Sequence, residues 1–313
     1  MEKDISRIII DRSSREYKIK QYLRKNFGGW LIMLPSLFLF TFFVWKPLFH
    51  NIIMSFSTTK GMKIVGFAGF DNFIKVFQDP LFLGALTNTF KYLFWSIIIG
   101  FLIPIILGLL LSEVIHFKGF FRLGIYFPSI VSGISVVIMW SYLFDPNPGA
   151  VLNQLLSRLG FSYSEFLSDP DLTIPLIIVT MTWRGAGATT LIYLSALQNI
   201  NNSQYEASRI DGANWFNRMR YITFPHLKPT IRMLFILQVI SVFQVFYEPL
   251  VMTSGGPNGA SLSLLLLSYN YYFESMDASS SAAVGVILSL IIIMLTIIYL
   301  RVSRPKTEEV KSV

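Results

Sequence analysis

The run AAVGVILSLIIIMLTIIYL at residues 282–300 contains no charged side chain, and this fixes the solvent the chain needs. A bilayer core about 30 Å thick takes about 20 apolar residues in helical form, because backbone polar groups there must pair within their own segment. SIIIGFLIPIILGLLL at 96–111 meets the same demand. In all, six stretches qualify, roughly 28–49, 88–112, 120–144, 173–197, 230–252 and 281–301. The sequence therefore predicts an all-α integral membrane protein of about six transmembrane helices. Residues 27–303 form one membrane domain between a basic segment, 1–26, and a short tail, 304–313. A hydrophobic content of 53% against 14% charged residues agrees with that class and not with a soluble domain.

The apolar stretch from Phe27 follows a basic leader but has no small-residue cleavage site and is too long for a signal peptide, so it is expected to be a retained span. Pro35, Pro104, Pro128 and Pro175 predict kinks or helix ends. Gly185, Ala186, Gly187 and Ala188 permit close helix approach, which places the fourth span inside the bundle.

Lys and Arg set the orientation. They crowd residues 3–25, then 118–122, 209–232 and 301–311, whereas the segment from Ser254 to Ser280 has none. By the positive-inside rule both termini and the loop between the fourth and fifth spans, 198–229, face the cytoplasm. The net charge of +8 thus reflects topology, and nucleic acid is not an expected partner.

Several polar groups fall within spans. Arg184 lies inside the fourth, where a charge costs at least about 2.5 kcal/mol and so faces a partner or a wet cavity; Glu248 is a possible partner. Trp183 beside it can stack on a sugar face or simply pack. Gln238, Gln244, Tyr247 and Glu248 put hydrogen-bonding groups on the fifth span, with 244 and 248 on one helical face. Such a stripe suits hydroxyl-rich cargo, and equally hydrogen bonding between helices.

Catalytic signatures are missing. There is no cysteine, the three histidines are scattered, and no GxxxxGK[ST], GxSxG or HExxH pattern occurs. The chain reads as a non-catalytic transport subunit that binds no cofactor. A membrane-embedded enzyme acting on glycolipid or polysaccharide would need paired carboxylates that Glu248 alone does not supply. An ion-coupled secondary carrier built from two related halves finds no internal repeat to support it.

The loop 198–229 carries the most specific pattern. Ser203 and Glu206 fit a capping box that opens a short helix, and Gly212 permits the turn that ends it. Trp215, Phe216 and Met219 give a second short helix an apolar face, with Pro225 and Pro229 closing the loop before the fifth span.

Glu206-Ala207-Ser208, then Gly212, Ile222 and Phe224-Pro225 closely resemble the EAA loop of permease subunits in binding-protein-dependent ABC importers. Ser208 and Phe224 depart from the usual Ala and Leu, with the spacing intact. GFDNFIKVFQDPLFLGALTNTFKY, YFPSIVSGISVVIMWSYLFDPNPGAVLNQLL and TSGGPNGASLSLLLLSYNYYFES resemble the carbohydrate-uptake branch, and the first of its two permease subunits. The resemblance implies the type I importer permease fold in a bacterial or archaeal cytoplasmic membrane. It also implies a second permease subunit, two ATPase subunits holding ATP and Mg, an extracytoplasmic solute-binding protein, and a sugar or oligosaccharide as cargo. In that family the loop is a coupling helix docked on the ATPase, a role it implies here for Glu206, Ala207, Ser208, Asp211, Gly212, Ala213, Ile222, Phe224 and Pro225.

Overall fold

The computed structural model describes residues 15–114 and 116–303, without the side chains of 15–20, 23 and 24. The basic leader as far as Ser14 and the tail from Arg304, both used above to orient the chain, lie outside the described residues. The chain divides into two compact units, residues 1–53 and 54–313.

In the first unit α1 (Arg15–Phe40) passes through a π turn at Thr41–Trp45 into α2 (Lys46–Ser55). The 31 residues Lys25–Ser55 are long and apolar enough to cross a membrane. Their side chains interact locally: Trp45 stacks on Phe49, and Thr41 Oγ1 donates to the Leu37 carbonyl at 2.8 Å.

The second unit opens with an antiparallel hairpin, β1 (Ser57–Lys60) and β2 (Lys63–Phe67), turning at Gly61 with φ +60°. Next come α3 (Asp71–Gln78) and α4 (Pro80–Trp95), the latter started by Asp79, whose carboxylate accepts from the Leu81 N–H at 2.8 Å, and by Pro80 in the first turn. A π turn at Ser96–Phe101 carries α4 into α5 (Leu102–Glu113), so the second span runs over 34 residues, Pro80–Glu113.

The third span departs from expectation. In place of one helix over 120–144 there are two, α6 (Lys118–Ile130) and α7 (Gly133–Leu143), meeting at 95°. Pro128 weakens the end of α6, and the Ser132–Gly133 pair that follows is a poor helix former at which Val131 turns extended. Beyond α7, α8 (Val151–Arg158) belongs to an excursion pinned by the buried Asn153. Its Nδ2 donates to the carbonyls of Pro146, Asn147 and Ser164, and its Oδ1 accepts from the Ser164 N–H at 2.9 Å.

Helix α9 (Thr173–Gln198) is the centre of the unit, as its small residues predict. A Cβ at Gly187 would collide with the Ile125 carbonyl and stand 2.8 Å from the Tyr126 Cα, so α6 and α9 touch backbone to backbone. On the same helix Tyr193 is fully buried, its Cβ against Gly108 of α5.

After α9 come α10 (Asn202–Ile210) and α11 (Trp215–Arg218), and here the structure corrects the loop reading. Asn201, not Ser203, caps α10, its side chain accepting from the Ser203 N–H at 3.0 Å. Pro225 and Pro229 do not close a loop; they lie within α12 (Phe224–Phe243), which a π turn at Met219–Thr223 joins to α11 in one run of 29 residues, Trp215–Phe243. Pro225 sits in the first turn of α12, where a missing N–H does least harm, and the wider turn ahead of it makes room for its ring.

The fifth span also ends early. The helix expected over 230–252 breaks at Gln244, and a separate α13 (Tyr247–Thr253) follows, so Gln244 and Glu248 do not share one helical face. Pro249 explains the break: its ring would clash with the Val245 carbonyl, which accepts instead from Ser263 Oγ at 2.6 Å.

The segment Ser254–Ser280, free of basic residues, is in large part interior. Ser261, Ser263 and Leu264 are fully buried ahead of and in α14 (Leu264–Tyr269). Asn88 donates to the Gly259 and Leu262 carbonyls, Tyr92 to the Ser261 carbonyl at 2.9 Å, and Thr89 Oγ1 accepts from the Leu264 N–H. Leu264, Leu266 and Leu267 of this segment pack with Phe82, Phe243 and Val284 in the largest core cluster among the described residues.

The last helix, α15 (Ala278–Val302), is capped by Asp277, which accepts from the Ser280 N–H at 2.9 Å and pairs with Lys75. Burial alone would raise the Asp277 carboxyl; the hydrogen bonds from Lys75 and Ser280 and the Lys75 charge outweigh it and hold the group below the usual carboxylate range. Among the described residues, four helical runs pass length and apolarity for a span, five with the bent pair. Helix α9, 26 residues long, adds length without matching apolarity, because TWRGAGATT interrupts it.

Candidate functional site

Two places answer to the residues singled out in the sequence. The first is a polar cavity of about 390 Å³ among α4–α5, α6, α9, α12 and α13, within the range of about 300–1,000 Å³ usual for small-molecule sites. Arg184 of α9, Gln238 and Ser241 of α12 and Glu248 of α13 line it, together with Ser96 and Thr182. Gln238 Nε2 donates to Ser96 Oγ at 2.6 Å, and Gly100 makes room for that amide, since a Cβ there would lie 3.0 Å from it.

The Arg184 guanidinium lies against Gly133, where an added Cβ would come within 3.2 Å of Cζ. The 95° bend between α6 and α7 is what brings Gly133 there, and Ser129 secures it by donating to the Arg184 carbonyl at 2.7 Å. Arg184 Nε is buried without a hydrogen-bond partner. Arg184 and Glu248 line the same space yet do not close into an ion pair.

The other candidates separate from this group. Trp183 points into a neighbouring apolar pocket of about 380 Å³, its ring edge-on to Trp140 with centroids 5.9 Å apart. Gln244 is exposed and Tyr247 half-buried, and neither lines the polar cavity. Ser96, Thr182 and Ser241 went unread because hydroxyls in apolar helices usually bond their own backbone, as Thr182 does to the Ile178 carbonyl at 2.7 Å.

The second place is the hairpin of α10 and α11. Its root is locked to the bundle: Tyr205 OH and Thr223 Oγ1 share a hydrogen bond of 2.9 Å, and Tyr205 and Ile222 pack against Ile105, Tyr193, Leu197 and Leu227. Ile222, half-buried, is thus an anchor of the root. The tip is held by its own backbone, with Gly212 in the left-handed region at φ +75°, the Ala213 N–H on the Ser208 carbonyl at 2.8 Å, and Arg218 donating to the Ala213 carbonyl. Asn214 caps α11 by accepting from the Asn217 N–H.

What the hairpin presents outward is Ala207, Asp211 and Gly212 with Ile210, which is 87% exposed, followed by Trp215, Phe216, Phe224 and Pro225. Ser208 and Ala213 are half-buried behind them. Glu206 stands at the edge of a cleft of about 530 Å³ that Glu113, Lys118, Arg209 and Arg218 also line. Ile210, Tyr205 and Thr223 were not singled out in the sequence; a bare isoleucine at the end of an otherwise polar helix was the available signal for the first.

The family described as binding-protein-dependent transport system inner membrane component matches residues 100–308. The lactose transport system permease protein LacF of Rhizobium radiobacter is 32% identical, over 92% of this chain and 97% of that one. The arabinooligosaccharides transport system permease protein AraP of Bacillus subtilis (strain 168) is 28% identical, over 90% of each. Among solved structures, a chain of a bacterial ABC transporter involved in the import of the acidic polysaccharide alginate superposes with a TM-score of 0.82 at 25% identity, over 93% of this chain and all of that one. A hairpin rooted in the bundle with a bare apolar tip, a polar cavity at the broken fifth span and these relatives lead to one assignment: the chain belongs to the binding-protein-dependent transport system inner membrane components, the membrane permeases of ABC importers.

Proposed function

We propose that this chain is one of two permease subunits of an ATP-driven importer for a sugar or oligosaccharide, with six spans and both termini in the cytoplasm. It passes cargo from an extracytoplasmic binding protein through the polar cavity by alternating access. The relatives named for lactose and arabinooligosaccharides support a carbohydrate cargo, as does the set of hydroxyl, amide and charged groups around the cavity. ATP and Mg belong to two separate ATPase subunits, since the sequence has no phosphate-binding loop of its own.

The observation that carries the reading is the hairpin 202–218, rigid at its root and bare at its tip. Closure of an ATPase pair does work on a transporter only through an element that moves as a body. Tyr205, Thr223 and Ile222 tie the hairpin to α9 and α12, the helices that wall the cavity, so a push on Ile210 reaches Arg184 and Gln238 without passing through a flexible joint. Ala207, Asp211 and Gly212 are small or short enough to let a partner surface come close.

Deleting residues 206–213 tests it. Insertion of the subunit is expected to persist, while co-purification with the ATPase and sugar uptake disappear; unaltered uptake would refute the proposal. Sugar uptake by this subunit alone, with no ATPase present, favours a secondary carrier instead.

A further inference from the structure

The cavity brings together a guanidinium and a carboxyl group that do not meet. Arg184 reaches it from α9 and Glu248 from the first turn of α13, with Gln238 and Ser241 of α12 on the wall beside them. Arg184 Nε has no hydrogen-bond partner although it is buried, and no ion pair joins the two side chains. In a membrane interior this arrangement is expensive unless a ligand serves both groups.

We propose that Arg184 and Glu248 form an open charge pair that selects uncharged, hydroxyl-rich cargo and rejects sugars of either net charge. The inference rests on the sugar-permease reading and adds to it the electrical character of the cargo. A guanidinium offers donors and no acceptor; a carboxylate offers acceptors and no donor. A ligand between them must accept on one side and donate on the other, and a sugar hydroxyl does both without adding charge. A uronate or sugar phosphate gains at Arg184 but meets Glu248, and an amino sugar gains at Glu248 but meets Arg184. Gly133 is part of the device, since a Cβ there would lie within 3.2 Å of the guanidinium and make it shift.

The two walls make opposite predictions. In the complete complex, with both permeases, the ATPases and the binding protein reconstituted in proteoliposomes, cargo-stimulated ATP hydrolysis is measured for three probe sets. These are neutral di- and trisaccharides, their counterparts oxidised at C6 to uronates, and their 2-amino counterparts. Wild type is expected to respond to the neutral set. Glu248→Gln removes the repulsion of anions and should raise the uronate-to-neutral response ratio by roughly tenfold or more, since juxtaposed like charges are strongly disfavoured. Arg184→Gln should raise the amino-sugar ratio in the same way. Because ratios are compared with one binding protein throughout, its own selectivity cancels.

An assembled Glu248→Gln complex with an unchanged uronate ratio overturns the inference, as does an assembled Arg184→Gln complex with an unchanged amino-sugar ratio. If one variant does not assemble, the change of ratio in the other decides. A complex that no sugar of any charge stimulates contradicts the sugar reading instead, so the two failures are distinguishable.

Discussion

Replacing Gly187 with Ala examines the contact on which the cavity's geometry depends. The added Cβ would collide with the Ile125 carbonyl and stand 2.8 Å from the Tyr126 Cα, and both obstacles are backbone. No rotamer change relieves that. Carbon atoms in contact sit about 3.5–4.0 Å apart, so α6 and α9 must part by about 1 Å. Overpacking of this kind costs about 1–3 kcal/mol, and an immovable obstacle puts the value near the top, at about 3 kcal/mol. At about 2–4 °C per kcal/mol for a domain of this size, the unfolding temperature should fall by about 6–12 °C.

Gly185, two residues along the same helix, supplies the control, because nothing lies within 4 Å of the Cβ it would acquire. Gly185→Ala should stay within about 0.5 kcal/mol of the parent. Both variants are compared by thermal unfolding in detergent, followed by tryptophan fluorescence and by loss of the monodisperse size-exclusion peak. Equal midpoints for the two alanines, or a Gly187→Ala protein as stable as the parent, would show that the backbone contact does not hold the bundle.

Ile210→Asp changes a side chain that is 87% exposed, so stability should move by less than about 0.5 kcal/mol while co-purification with the ATPase is lost; a pull-down alongside a melting curve checks both. Tyr205→Phe removes the hydrogen bond to Thr223, should cost about 1 kcal/mol, and should lower the sugar transported per ATP hydrolysed without abolishing assembly. The Lys75–Asp277 clasp predicts an acid dependence. The folded carboxyl is held low, so its stabilisation is present above the unfolded value of about 3.9 and is lost as pH falls through the lower folded value. The melting difference between wild type and Asp277→Asn should therefore be largest near neutrality and close toward pH 3, and it should be small, under about 1 kcal/mol, because Lys75 is mostly exposed.

Much of this protein was legible in one dimension because the bilayer imposes a one-dimensional rule. A run such as 282–300 has no stable alternative to a helix in lipid, and α15 follows it closely. Gly212 was legible because a left-handed residue leaves few choices, and Gly187 because small residues in apolar helices mark close approach. The hairpin 202–218 was legible through its spacing, but its caps were not. Asn201 won the N-cap over Ser203 because either side chain can accept there, and only the path of the chain out of α9 decides which is placed to do so.

The sequence by itself determined the solvent and the helical class, since each depends on composition or on neighbours within a turn or two. The tertiary structure alone decided that the third and fifth spans break, that Ser261–Leu267 is interior, and that Arg184, Gln238 and Glu248 share a cavity while Trp183, Gln244 and Tyr247 do not. Those outcomes depend on which distant group takes a carbonyl that a proline has freed, as Ser263 does for Val245. A hydrogen bond between residues 18 apart in sequence leaves no local periodicity to read.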